Sequence, residues 1–174
     1  MQKVLAILLM LLVCTVYILS IRDDTKVGEK KNSHETANIQ KELQALEEKL
    51  QYEETLTPKE VILLHNQLME YAYSEAMKEE DVKSLIDTMR RLYSKELLAL
   101  NDYEGQIELF KQEVLNNQDK KMFIKESEIE SIEFTESNTA LVKVVHGTTK
   151  EQVERMYTLI KEDSGWKIYS WENR

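Results

Sequence analysis

The chain has one cysteine, one proline and four glycines, and each shortage closes off a class of protein. The lone cysteine, Cys14, excludes a disulfide framework within the chain and a thiolate zinc site. The glycines, at 28, 105, 147 and 165, fall in no G-x-G-x-x-G, P-loop or G-x-S-x-G arrangement. That excludes the common nucleotide folds and the nucleophile elbow. Basic charge is also short, with 23 Lys and Arg against 32 Asp and Glu. Only Lys3 of these lies within residues 1–21, so the remainder holds 22 basic and 32 acidic residues and carries −10. An acidic body repels polyanions, which argues against nucleic acid as a partner and against a polybasic membrane surface. The three histidines, His34, His65 and His146, have no second His or Cys at i+3 or i+4, so no metal site is expected.

What the chain does have is a hydrophobic run, Val4–Ile21, free of charge, Gly and Pro. As a helix it rises about 27 Å, close to the thickness of a bilayer's hydrocarbon core. Its end, Ile18-Leu19-Ser20-Ile21, lacks the pair of small residues that signal peptidase prefers, and the run exceeds a signal core. Bulky Val13 before Cys14 does not suit a lipidation site. The run therefore reads as an uncleaved membrane anchor, with a single-pass protein behind it. Arg22, Lys26, Lys30 and Lys31 would by charge count keep the body in the cytoplasm. The minimal basic head and the diluting Asp23, Asp24 and Glu29 point the other way, and the expected side is extracytoplasmic.

Residues 22–54 read as a tether and spacer. Arg22–Glu35 has no apolar period, whereas Ile39, Leu43, Leu46 and Leu50 form an a/d seam on a helix over about Thr36–Glu53. Two heptads are short for an autonomous coiled coil, so the helix either dimerises as a stalk or packs on its own domain. A restart follows at Thr57-Pro58-Lys59-Glu60, a capping box with proline at the first helical position. The domain boundary is placed there, giving an anchor at 1–21, a spacer at 22–54 and one domain at 55–174. Helices are expected through Val61–Ala76, after Glu80-Asp81, at Tyr93–Leu98, and from the Asn101-Asp102 cap through Leu115. After Asn117 the period becomes alternating. Lys125–Glu128 is expected to interrupt a first strand, and strands follow over Ala140–His146, Glu151–Lys161 and Trp166–Trp171. The class is α+β, helices packed on a curved antiparallel sheet.

The ending Tyr157, Leu159, Lys161, Asp163, Gly165-Trp166-Lys167-Ile168 resembles the close of NTF2-like cone domains. The anchor with Arg22-Asp23, the Thr57-Pro58-Lys59-Glu60-Val61 helix start, Arg91-Leu92-Tyr93 and Glu96–Asn101 are similar to an uncharacterised family of small membrane-anchored proteins of Gram-positive bacteria. The resemblance departs over about residues 24–54 and implies a fold and a location, with no activity attached. NTF2-like enzymes use Asp, His and Tyr within the cone, which implies a place for His146 with Tyr71 or Tyr93. No acid–base pair accompanies them, so no catalytic, cofactor-binding or metal-binding residue is assigned and no cofactor is expected. His65 reads as a surface or boundary helix residue, with no carboxylate one turn away on its own face. Alternation puts Tyr169 and Trp171 on one face of the last strand and Trp166, Ile168 and Ser170 on the other. Tyr157, Trp166, Tyr169 and Trp171 therefore cannot all line one cavity.

The leading expectation is a non-enzymatic, membrane-anchored interaction domain whose sheet pairs with a protein partner or a second copy of itself. The alternatives are a small-ligand binder or cone-type enzyme, and a subunit of an envelope secretion machine. A cone filled by Leu, Ile and Met would exclude the ligand reading; an open one with converging polar groups would support it.

Overall fold

A computed structural model of the chain describes residues 44–173. The anchor expected at Val4–Ile21, the tether and the start of the spacer helix lie outside the described residues. Among the described residues no helix is long and apolar enough to cross a membrane.

Residues 44–50 are helical (α1), and a 3-10 turn, Glu53–Thr55, follows. Leu46 and Leu50, two positions of the apolar seam, are buried in the domain's core cluster. This part of the spacer packs on its own domain. The core therefore extends to the amino side of the boundary expected at residue 55.

Helix α2 (Pro58–Ala72) begins as its sequence dictates. The Thr57 hydroxyl accepts the Glu60 N–H at 3.3 Å, and the Glu60 carboxylate accepts the Thr57 N–H at 2.8 Å. Two otherwise orphaned backbone donors are satisfied, and Pro58 supplies none that would need a partner. Buried residues then occupy most of the helix, with an outward stripe at Lys59, Glu60, Leu63 and Gln67. Burial on so many sides makes α2 the central helix, set against both α3 and the sheet. Helix α3 (Val82–Arg90) turns Val82, Leu85, Ile86 and Met89 inward. Helix α4 (Lys95–Leu100) is capped by Ser94, which accepts the Leu97 N–H at 3.1 Å. Helix α5 (Tyr103–Asp119) is capped by Asp102, which accepts the Gly105 N–H at 2.9 Å. Along α5 only Val114 and Asn117 are fully buried, so its amino half lies loosely over what is beneath it.

Four strands form an antiparallel meander in chain order: β1 (Ile124–Glu136), β2 (Thr139–Thr148), β3 (Gln152–Glu162) and β4 (Gly165–Asn173). β1 runs unbroken through Lys125–Glu128, contrary to expectation. A register shift at Lys125 absorbs the irregularity, and an edge strand tolerates these charges in water. Ala140, Val142 and Val144 of β2, with Tyr157 and Leu159 of β3 and Ile168 of β4, form the wholly buried face beneath the helices. Slips in the ladder alter which neighbours share that face. Ile129 and Ile132 stand opposite Val144 and Val142, three residues apart yet on one side.

On β4, Leu159 pairs with Ile168 and Tyr157 with Trp171, so one extra residue bulges between them. Trp171 thus joins Ile168 on the inner face and Tyr169 is turned outward. This corrects the strict alternation expected there, which had put Trp171 with Tyr169. The free edge of β4 is partly covered by chain from the α3–α4 connection. There Ser94 N–H donates to Ile168 O at 2.9 Å, and Ile168 N–H donates to Leu92 O at 2.8 Å.

The start of β4 is also clasped by the lead segment. Lys167 is only 5% exposed; its Nζ donates to Arg91 O at 2.7 Å and pairs with Glu53 Oε2 at 3.2 Å. Arg91 Nη2 in turn donates to Leu50 O at 2.5 Å. Gly165 adopts φ +102° directly under this segment, where a Cβ would lie 2.7 Å from Glu53 O.

Candidate functional site

The loose amino half of α5 roofs a slot of about 390 Å³. Its inner wall is apolar and buried: Met69 from α2, Ile86 and Met89 from α3. Exposed Leu100, Asn101, Asp102 and Leu109 form the rim at the α4–α5 junction. Phe110 and Glu113 close the roof, and Arg155 and Trp171 reach in from the sheet. Sites for small molecules commonly have this volume, this apolar lining and a few convergent polar groups.

His65 stands at the centre of the aromatic wall and is 1% exposed. Its ring centroid lies 5.3 Å from Tyr157, 6.0 Å from Tyr93 and 6.3 Å from Trp171. Neither ring nitrogen has a hydrogen-bond partner among the described residues. Burial holds the imidazole well below the usual histidine range, at about 3, and the Arg155 and His146 charges push the same way. The ring is therefore neutral at physiological pH. Its burial overturns the surface role expected from sequence, because α2 is enclosed on nearly every side.

Arg155 sits half-buried on the inner face of β3, opposite Val144. Its Nε donates to Asn173 Oδ1 at 3.0 Å and its Nη1 to the Tyr157 hydroxyl at 3.4 Å. Among the described residues no carboxylate comes within ion-pair distance of it. Across the slot the Tyr73 hydroxyl donates to the Glu113 carboxylate in a short hydrogen bond. Burial first, and then the Glu113 charge, raise the Tyr73 hydroxyl above the usual phenol range, so it keeps its proton.

His146 is buried on the inner face, in line with Val144, as alternation predicts. Its Nδ1 shares a 2.9 Å hydrogen bond with Ser127 Oγ, and its Nε2 is unpartnered. Burial lowers its pKa to about 4, with Arg155 contributing. No hydrogen bond or ring contact joins it to either tyrosine suggested as its companion. Tyr71 donates instead to Asp81 at 2.9 Å, while Tyr93 packs beside His65 in the slot. Among the described residues no three His, Cys, Asp or Glu side chains gather closely enough to hold a metal ion.

Two slot residues, His65 and Arg155, were not anticipated as such. Arg155 had a signal in the sequence, since it alternates with Val153 and Tyr157 and so shares their face; the burial of His65 had none, because it depends on the neighbours that surround α2.

A family described as a domain of unknown function, DUF6715, matches residues 1–171. The chain belongs to the DUF6715 family. The match takes in residues 24–54, the stretch over which the resemblance drawn from sequence had departed. No curated relative matches this DUF6715 chain. Among solved structures it is similar to the intermembrane space region of the chloroplast protein ARC6, at 10% identity and a TM-score of 0.37, covering 65% of this chain and 90% of that one. It is also similar to an NTF2-like protein of unknown function from Silicibacter pomeroyi, at 16% identity and a TM-score of 0.35. That match covers 68% of the DUF6715 chain and all of the other.

Proposed function

We propose that this is a membrane-tethered, extracytoplasmic domain of NTF2-like form that binds a small ligand in the slot beneath α5, without catalysing a reaction on it. The observation that carries this reading is the open slot of about 390 Å³ with His65, Tyr93, Arg155 and Glu113 on its walls. A domain serving only as a surface for partners has no need to leave such a space unfilled, since close packing is the norm in protein interiors. Absence of turnover is supported by the state of the titratable groups. His65 is neutral and enclosed by rings, and Glu113 is engaged by Tyr73. Tethering rests on the Val4–Ile21 run, and the choice of side on its weakly basic head.

Thermal unfolding of the full chain in nanodiscs, screened against a panel of small organic ligands, tests the reading. A ligand that raises the melting temperature and shifts Trp171 emission supports it; a panel that moves neither counts against it. A second reading is pairing through the outer sheet face, where Leu141, Met156 and Thr158 border a shallow hollow of about 260 Å³. Crosslinking in membranes separates the two, because a strictly monomeric chain with no crosslinked neighbour removes the pairing reading.

A further inference from the structure

We propose that the slot selects a small organic acid bearing one carboxylate on a flat apolar body, and that Arg155 is the residue that reads the carboxylate. The proposal rests on the slot being a ligand site and adds the chemistry of its occupant.

The argument begins with charge. Beyond residue 21 the chain carries 32 acidic against 22 basic residues, so a carboxylate partner for any arginine is easily found. Arg91 has one in Glu53, and Lys143 has two, in Glu130 and Glu154. Arg155 is half-buried and has none among the described residues. A half-buried guanidinium with only an amide, a hydroxyl and the Tyr157 face for company has capacity left for an anion, and its planar fork matches a carboxylate in bidentate geometry. The bonds from Nε to Asn173 and from Nη1 to Tyr157 fix the fork's orientation and leave Nη2 without a hydrogen-bond partner among the described residues. The site is therefore preorganised on the protein side.

The rest of the slot describes the remainder of the ligand. Trp171 and Tyr93 face each other at 5.9 Å between centroids and 41° between planes, tilted and not stacked. Met69, Ile86 and Met89 complete an apolar wall suited to a flat hydrocarbon body. Two carboxylates, Asp102 and Glu113, also line the slot. Each is already held, Asp102 by the Gly105 N–H and Glu113 by the Tyr73 hydroxyl, so neither is free to move onto Arg155 without losing a bond. Their charge disfavours ligands with several negative charges, such as nucleotides and phosphate monoesters, and tolerates a single carboxylate placed against Arg155.

The test is calorimetric titration of the full chain in nanodiscs with 2-naphthoate, its neutral amide 2-naphthamide, and phenyl phosphate. Empty nanodiscs serve as the blank for partitioning. Wild type is expected to bind naphthoate at least tenfold more tightly than naphthamide, with phenyl phosphate weaker than naphthoate. Arg155→Met is expected to abolish the acid's advantage while keeping weak binding of the amide. Equal affinity for acid and amide on wild type overturns the proposal and leaves the ligand-site reading standing. Tighter binding of phenyl phosphate overturns the choice of a carboxylate. Binding of none of the three overturns both this proposal and the reading beneath it. The acid-to-amide ratio is measured on wild type, so the outcome does not depend on the variant folding.

Discussion

Tyr157 and Trp171 stand directly opposite each other on β3 and β4, their ring centroids 6.3 Å apart, and the bulged Tyr169 is what brings them to one face. Deleting Tyr169 removes the extra residue and leaves Trp171 two positions after Ile168, so plain alternation keeps it on the inner face. In a Trp166→Phe background the remaining tryptophan is expected to keep its emission and its acrylamide accessibility, with the slot's ligand binding retained. A red-shifted, more accessible tryptophan would show that the bulge is not what reconciles Trp171 with the inner face.

His65 and His146 make stability depend on pH. Unfolded, each takes up a proton near 6.5; folded, they resist until about 3 and about 4. Between those values the unfolded chain holds more protons, so stability is full above pH 6.5 and falls as the pH drops toward 3, at most about 1.4 kcal/mol per unit for each group. His65→Phe is expected to flatten part of that fall. At pH 7 it is neutral or stabilising by about 1–3 kcal/mol, because two unpartnered nitrogens leave the core. Urea denaturation of both proteins across the range checks this. Parallel curves would remove His65 from the explanation.

Gly165→Ala is expected to destabilise the domain by about 1–3 kcal/mol, since φ +102° strains any side chain and the new Cβ meets Glu53 O. The loss should be accompanied by faster proteolysis ahead of residue 56, read by limited digestion and mass spectrometry.

Glu53 and Lys167 should be strongly coupled. Glu53→Ala leaves the buried Lys167 ammonium with only the Arg91 carbonyl, at a cost of about 1–2 kcal/mol given that Glu53 is partly exposed. Adding Lys167→Met is expected to recover most of that loss, because the uncompensated charge goes with it. A double-mutant cycle in urea denaturation yields the coupling; additive effects would contradict it.

Local chemistry was readable from residues alone. Thr57-Pro58-x-Glu60 starts a helix whatever surrounds it, Asp102 caps the next long one, and the alternation of Ala140, Val142, Val144 and His146 places all four inside. The ladder slips at Ile129–Ser131 and at Tyr169 were not readable, because a bulge is a property of two strands in register and each strand alone still looks alternating. His65 was misplaced for a related reason. Its burial comes from how many neighbours surround α2, which no single helix face reports. The slot is a shortfall of packing between α5 and distant β3 and β4, and the pairing of Arg155 with no acid emerges only once the chain is folded.

The clasp at Gly165 and Lys167 joins the lead segment to the sheet. Leu50, Glu53 and Arg91 tie residues 50–53 to the start of β4, the strand whose far end carries Trp171. The lead segment and one wall of the slot therefore share a strand, and any displacement of the first has a route along that strand to the second.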